Sequence, residues 1–359
     1  MQNFVKRVFS PRIVLPLSLA GTVVGSLVLI RYAMYFMSGD NFVHQLLGKA
    51  SLTDHFGGGT CQCKVMLKGR TVIITGANTG IGKETALDLA KRGGRIILAC
   101  RDEKKALKAR KDIILQSGNT DIHFRHLDLA SLKSVRSFAE RINSEEDKVH
   151  VLINNAGIMR CPFWKTEDGF EMQFGVNHLG HFLLTNLLRA KLQSSSPSRI
   201  INVSSIAHER GKIDFENLNS EKDYQTAEAY ANSKLANVLF NRELSKELQG
   251  TGVTANAVHP GIVNTEIGRY TGFHKSGFSM TILGPIFWLF VKSPKQGAQT
   301  TIHCAISEDL ESTSGLYFSD CKPKECSALG KEDQVAKRLW DTSIKLVGLD
   351  QADSVSESS

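Results

Sequence analysis

Residues 70–82 read R-T-V-I-I-T-G-A-N-T-G-I-G, and this stretch decides the fold. A short run of β-branched residues suits a buried strand. It meets a turn with glycines at 76, 80 and 82, and K-E-T-A-L-D-L-A-K-R-G beyond it has a helical pattern. Strand, glycine-rich turn and helix in that order make a cradle for a phosphate. Glycine lets backbone N–H groups approach an anion, and the helix start aims its positive end at it. The spacing is GxxxGxG rather than GxGxxG, but the physics is shared.

The same alternation continues outward. Strands are expected at 95–100, 122–127, 149–154, 199–204 and 253–258, with a last short one at 315–319. Helices are expected over 103–116, from an N-cap at Ser131 to about 143, over 170–192 and over 227–248. Strands alternating with helices imply an α/β fold: a doubly wound parallel sheet of the Rossmann type with helices on both faces.

The tip of the second strand reads on the cofactor. Dinucleotide binders that grip free ribose hydroxyls carry an acidic residue there. This chain has Ala99-Cys100-Arg101, with Asp102 next door. A guanidinium fork pairs well with a 2′-phosphate, so NADP(H) is the expected cofactor, and Lys83 would add charge from the first helix. A second constellation is Tyr230 with Lys234, the one tyrosine of 6 with a lysine four residues on. On a helix the two share a face. An ammonium near a phenol, together with a cationic nicotinamide ring, would draw the phenol toward working pH. Ser204 and Ser205 end the fifth strand, where ligands bind in such sheets.

These pieces together resemble the short-chain dehydrogenase/reductase family over residues 68–347. The matching motifs are TGANTGIG at 75–82, Asp128, NNAG at 154–157, Asn177 within GVNHLGHF, Ser205, Tyr230 with Lys234, and HPG at 259–261. The resemblance implies a catalytic tetrad of Asn177, Ser205, Tyr230 and Lys234. In it Tyr230 is the proton donor or acceptor and Ser205 steadies the substrate oxygen. Lys234 binds the nicotinamide ribose and tunes Tyr230, while Asn177 holds a water. Cofactor contacts are implied at Gly76, Asn78, Thr79, Gly80, Ile81, Gly82, Arg101, Asp128, Asn155, Ala156, Gly157, Tyr230, Lys234, Pro260, Gly261 and Thr265.

Within that family, ILACRD, RHLDLASLKS, INNAGIMRCPFW and LGPIFWLFVKSP are similar to the retinol dehydrogenase group. That implies NADPH-dependent, reversible reduction of retinaldehyde to retinol. Rival expectations are a carbonyl reductase for lipid-derived aldehydes or steroids, and a catalytically idle nucleotide-binding scaffold. An apolar stretch with Phe273, Phe278, Met280, Ile282, Leu283, Ile286, Phe287, Trp288, Leu289 and Phe290 reads as a lid for a greasy substrate, a membrane contact or a buried helix. A homodimer is compatible with the resemblance.

The remaining sequence bounds the setting. Of 359 residues, 44 are Lys or Arg and 36 Asp or Glu, a net charge of +8. No basic block, zinc-finger spacing or aromatic-basic RNA motif stands out, so the charge reads as a solvated surface and no nucleic acid is expected. Residues 13–30 are uncharged, long enough to span a hydrocarbon core, and flanked by Arg12 and Arg31. They are read as a membrane anchor after a basic segment, 1–12. A linker follows over 31–67, then the catalytic domain over 68–349 and a frayed tail over 350–359. Lys6, Arg7 and Arg12 favour an N-terminus kept inside. The resemblance then implies the mitochondrial inner membrane with the domain facing the intermembrane space, the endoplasmic reticulum membrane being the alternative. Seven cysteines form no disulfide framework. Cys61 and Cys63 make a CxC pair with no second Cys/His pair at metal spacing, and no metal is expected.

Overall fold

The protein is described by a computed structural model that places residues 58–270 and 291–350. All of these but Val291 belong to one structural unit. The expected anchor at 13–30, the lid residues from Phe273 to Phe290 and the tail beyond 350 lie outside the described residues. Among the described residues no helix is long and apolar enough to cross a membrane.

The strands are β1 Thr71–Thr75, β2 Arg95–Cys100, β3 Ile122–His126, β4 Val151–Asn154, β5 Ser198–Val203, β6 Val253–His259, β7 Tyr317–Ser319 and β8 Lys322–Lys324. Among the described residues they form one sheet in the order β3-β2-β1-β4-β5-β6-β7-β8. All pairings are parallel except that of β7 with β8. The order reverses between β1 and β4, and the carboxyl ends of those strands leave the crevice where such sheets bind ligands.

Side chains alternate across the sheet. Val72 and Ile74 join a core with α1 (Gly80–Lys91), α2 (Glu103–Ser117) and α7 (Gln299–Ile306). Ile73 between them joins the opposite core, with α3 (Leu132–Glu145), α4 (Gly180–Leu187), α6 (Thr226–Glu247) and α8 (Asp333–Leu346). A short α5 (Arg189–Ser194) leads into β5. Ile73 and Ile74 are fully buried, each worth about 1.5–3 kcal/mol of removed apolar surface. Burial on both faces is why β1 reads as an unbroken apolar run.

Four features differ from the sequence reading. The helix expected over 170–192 is segmented. One turn at Met172–Phe174 passes into a π-helical turn, Gly175–Leu179, before α4, and the chain breaks again at Leu188. Helix α7 and the turn before it were not expected, although Ser293-Pro294-x-Gln296 forms a full capping box. Helix α8 was also missed, although Ala336, Leu339, Trp340 and Ser343 follow a helical stripe and are buried. The packed unit also begins before Lys68. From Cys61 to Leu67 burial alternates with period two, and Cys61, Cys63 and Val65 pack against the core.

Candidate active site

The glycine-rich turn is held by the side chains of Thr75, which ends β1, and Asn155, just past β4. Gly76 and Gly80 have φ of +66° and +55°, a region open to glycine at little cost. The turn is also crowded. A Cβ on Gly76 would lie 2.9 Å from Ala156 Cα, and one on Gly82 would lie 2.5 Å from Asn155 Nδ2. Thr75 Oγ1 accepts from the N–H groups of Asn155 and Ala156, both at 2.9 Å. Asn155 Nδ2 donates to Thr75 O at 2.8 Å. Asn155 therefore braces the turn, which is a different task from contacting a nucleotide.

The crevice beside this turn is lined by Gly76, Asn78, Thr79, Gly80, Ile81, Gly82, Arg101, Asp128, Asn155, Ala156, Gly157 and Thr265, all expected from the sequence. Lys105, Glu266, Ile267 and Arg269 also line it and were missed. They come from the start of α2 and the segment after β6, which carry no motif. Lys105 and Glu266 pair at 3.1 Å.

The crevice suits a nicotinamide dinucleotide. At the start of α1, Thr79 makes no side-chain cap and the first turn carries no acidic residue, so the helix N-terminus keeps its attraction for an anion. Asp102 also lines the crevice, and one of its carboxylate oxygens caps α2 by accepting from the Lys105 N–H at 3.0 Å. Arg101 is largely exposed, with Asp128 at 3.8 Å. Lys83 departs from expectation. Its ammonium is held by Asp112 at 2.7 Å, because α1 turns that side chain toward α2.

Behind Gly157 lies the second group. A Cβ on Gly157 would sit 3.4 Å from Asn177 Oδ1 and 3.6 Å from Lys234 Nζ. Asn177 occupies the π-helical turn and is fully buried. It donates to Ile158 O at 3.0 Å and to Ser233 Oγ at 2.9 Å, and accepts from the Ile158 N–H at 2.9 Å. Extra-wide turns of this kind re-aim a side chain at functional sites. Lys234, only 2% exposed, donates to Val203 O at 3.0 Å and stands 5.8 Å from the centre of the Tyr230 ring. Burial pulls its pKa down to about 8. Ser205, at the carboxyl end of β5, accepts from the Ala207 N–H at 3.2 Å.

Tyr230 lies on the same helix, one turn before Lys234. Burial pushes its phenol up to about 12, and the hydrogen bond from Ser205 opposes this only in part. Lys234 stands on the next helical turn, with Val203 O accepting one of its N–H donors. Of the expected cofactor contacts, Tyr230, Lys234, Pro260 and Gly261 do not line the crevice. Pro260 is buried, and Gly261, at φ +88°, is packed against the Lys292 side chain.

A pyrophosphate cradle at the switch point, backed by a buried tyrosine and lysine on one helix, is the layout of a nicotinamide-dependent oxidoreductase. The short chain dehydrogenase family matches over residues 70–274, and the chain belongs to that family. It is 55% identical to retinol dehydrogenase 13 of Homo sapiens over 347 residues, covering 96% of this chain and 98% of that one. To retinol dehydrogenase 12 of Homo sapiens it is 52% identical over 299 residues, covering 83% and 93%. Among solved structures, an uncharacterised protein of Mycobacterium paratuberculosis is similar at 35% identity with a TM-score of 0.65, covering 81% of this chain and 98% of that one. A short-chain dehydrogenase of Escherichia coli CFT073 complexed with NADPH shares the fold at 24% identity and a TM-score of 0.57, covering 71% and 98%.

Proposed function

We propose that the protein reduces retinaldehyde to retinol with NADPH, reversibly. The observation that carries this reading is the similarity to retinol dehydrogenases over 96% of the chain. Arg101, just past the end of β2 and lining the crevice, supports NADPH over NADH.

Gly76, Asn78, Thr79, Gly80, Ile81, Gly82 and Arg101 would hold the cofactor's phosphates, with Asp128 and Gly157 farther along the crevice. When bound, the reduced cofactor supplies a hydride. The chain's own residues manage the oxygen and the proton. Ser205 orients the carbonyl oxygen by hydrogen bonding. Tyr230, kept neutral by burial, is an acid that gives its phenolic proton to that oxygen. Lys234 remains largely protonated near neutrality and stabilises the phenolate left behind. Asn177 holds the backbone at Ile158 in place beside this pair.

The test is retinaldehyde turnover by the purified full chain with NADPH and NADH side by side, and with a medium-chain lipid aldehyde as competitor. Faster turnover of the lipid aldehyde would favour the rival carbonyl-reductase reading. The setting proposed is the mitochondrial inner membrane, anchored by residues 13–30 with the catalytic domain in the intermembrane space. The support is the cluster Lys6, Arg7 and Arg12 on one flank of that apolar run. Digestion of the catalytic domain by protease on intact mitochondria would defeat it.

A further inference from the structure

On the face of the sheet away from the Tyr230 helix, the CxC pair meets a partner that sequence spacing hides. Residues 61–67 run extended, so Cys61 and Cys63 point to the same side. The segment is pinned independently of any ligand. Arg92 Nη1 donates to Cys63 O at 2.7 Å and to Val65 O at 3.1 Å, and the Cys61 N–H donates to Gln299 Oε1 at 3.1 Å. Gln299 lies one turn before His303 on α7, so the contact that fixes the segment also sets His303 against it. Cys63 Sγ stands 3.8 Å from His303 Nδ1. The two sulfurs and one imidazole nitrogen all lie within 4.8 Å of one another.

We infer that Cys61, Cys63 and His303 form a binding site for a zinc-type divalent cation. Tetrahedral zinc, with bonds of about 2.3 Å to sulfur and about 2.0–2.1 Å to nitrogen, sets sulfurs about 3.8 Å apart and sulfur and nitrogen about 3.6 Å apart. The three donors stand near that arrangement. All three are half-buried, as suits a site that must be both reached and shielded. An opening lined by Cys63, His303, Asp320 and Cys321 adjoins the cluster, and a water entering there would complete four-coordination. Binding releases the two thiol protons to solvent and moves no electrons. Two thiolates then neutralise the cation, so the half-buried site carries no net charge. Burial pushes the Cys61 thiol up to about 12. Because binding must displace thiol protons, it weakens as pH falls. The cation would lock the 61–67 segment onto α7.

The experiment uses the reduced full chain in detergent, stripped with a chelator and titrated with Co(II). The expected result is one Co(II) per chain, with thiolate-to-cobalt charge-transfer absorption and the visible bands of four-coordinate cobalt. Zn(II) should bleach both by displacement. Cys63→Ser and His303→Gln should each lose the absorption by about tenfold or more at equal metal, while Cys326→Ser, outside the cluster, retains it. NADPH binding by the variants checks that they are folded, and Cys63→Ser changes least if His303→Gln is not. Wild-type protein that gives no thiolate band with stoichiometric Co(II) overturns the site, as does a band undiminished in folded Cys63→Ser.

Discussion

The glycine-rich turn and the buried face of α6 manage polar groups by opposite means. The turn works with backbone. Its glycines expose N–H groups at an open crevice, and its bracing comes from Thr75 and Asn155 next to it in the fold. The α6 face works with side chains taken out of water. Lys234 and Tyr230 are both buried, and desolvation shifts each toward its neutral form. One fully buried residue joins the two regions. His181 contacts Thr75 Oγ1 through Nε2 at 2.9 Å and Asn177 O through Nδ1 at 3.1 Å. A phosphate cradle tolerates solvent because many weak donors share one anion. A proton donor does not, because its acidity depends on what surrounds it.

The sharpest way to break this contrast is at the buried end. Tyr230→Phe keeps the ring and its packing and removes only the proton. Turnover is expected to fall by about 100- to 10,000-fold, the usual range for a positioned acid, with NADPH affinity nearly unchanged. Steady-state kinetics with parallel cofactor titration reads both. Turnover near wild type would place the acid elsewhere.

Gly76→Ala attacks the other end through the backbone. A side chain at φ +66° is strained, and its Cβ would meet Ala156 Cα at 2.9 Å. The sum of both costs is about 2–5 kcal/mol, read as a lower thermal midpoint together with weaker NADPH binding. Loss of binding with full stability would mean that the turn adapts and that only the cradle suffers.

These two ends were not equally legible. The turn could be read from 13 consecutive residues because its structure is local. The Tyr230/Lys234 pair was legible as a helical spacing, but not the direction of the phenol's shift, which depends on burial from elements far away in sequence. Asn177 could be named by resemblance. The π-helical turn that carries it could not, since nothing in G-V-N-H-L distinguishes it from ordinary helix. Lys105 and Glu266 were missed for a similar reason: they meet across 161 residues. His303 was missed because its cysteine partners lie 240 residues away.

Arg101→Ala tests which chemical group the crevice reads. Loss of a charge-assisted contact should weaken NADPH binding by about 1–3 kcal/mol and leave NADH little changed. Equal losses for both would mean that Arg101 does not meet the 2′-phosphate.

The bridge between the regions predicts a pH dependence. Asn155 and Ala156 donate to Thr75 Oγ1, whose own proton has His181 Nε2 at 2.9 Å as its nearer acceptor and Ile153 O at 3.4 Å as its farther one, and Nδ1–H donates to Asn177 O. The network therefore assigns a neutral imidazole. Burial holds its pKa down at about 4, against an ordinary 6.5. Between those values the unfolded chain binds the proton and the folded chain does not, so stability rises with pH in this window. The contribution is complete above about 6.5 and is lost as pH falls toward 4, by about 1.4 kcal/mol per pH unit. Neighbouring His178, pushed down to about 3 by burial, acts in the same direction. Urea midpoints between pH 7 and 5 measure the slope, and a flat profile would contradict a neutral buried bridge.

The smallest effect is expected at Lys83, and it separates charge that is near the cofactor from charge that reads it. Lys83 and Arg101 both belong to the cofactor end of the sheet, and both looked like phosphate partners in the sequence. Lys83 instead forms a partly exposed ion pair with Asp112 at 2.7 Å, which draws the Asp112 carboxyl below its ordinary range. Exposed pairs of this kind add little to stability, and salt screens them. Lys83→Ala should therefore leave the NADPH-to-NADH preference within about twofold of wild type and barely shift the urea midpoint. Isothermal titration of both cofactors at low and moderate salt reads the first, and urea unfolding the second. A loss of NADPH affinity comparable to that of Arg101→Ala would show that the ammonium leaves Asp112 when the phosphate arrives, and the crevice would then read the 2′-phosphate with two cations rather than one.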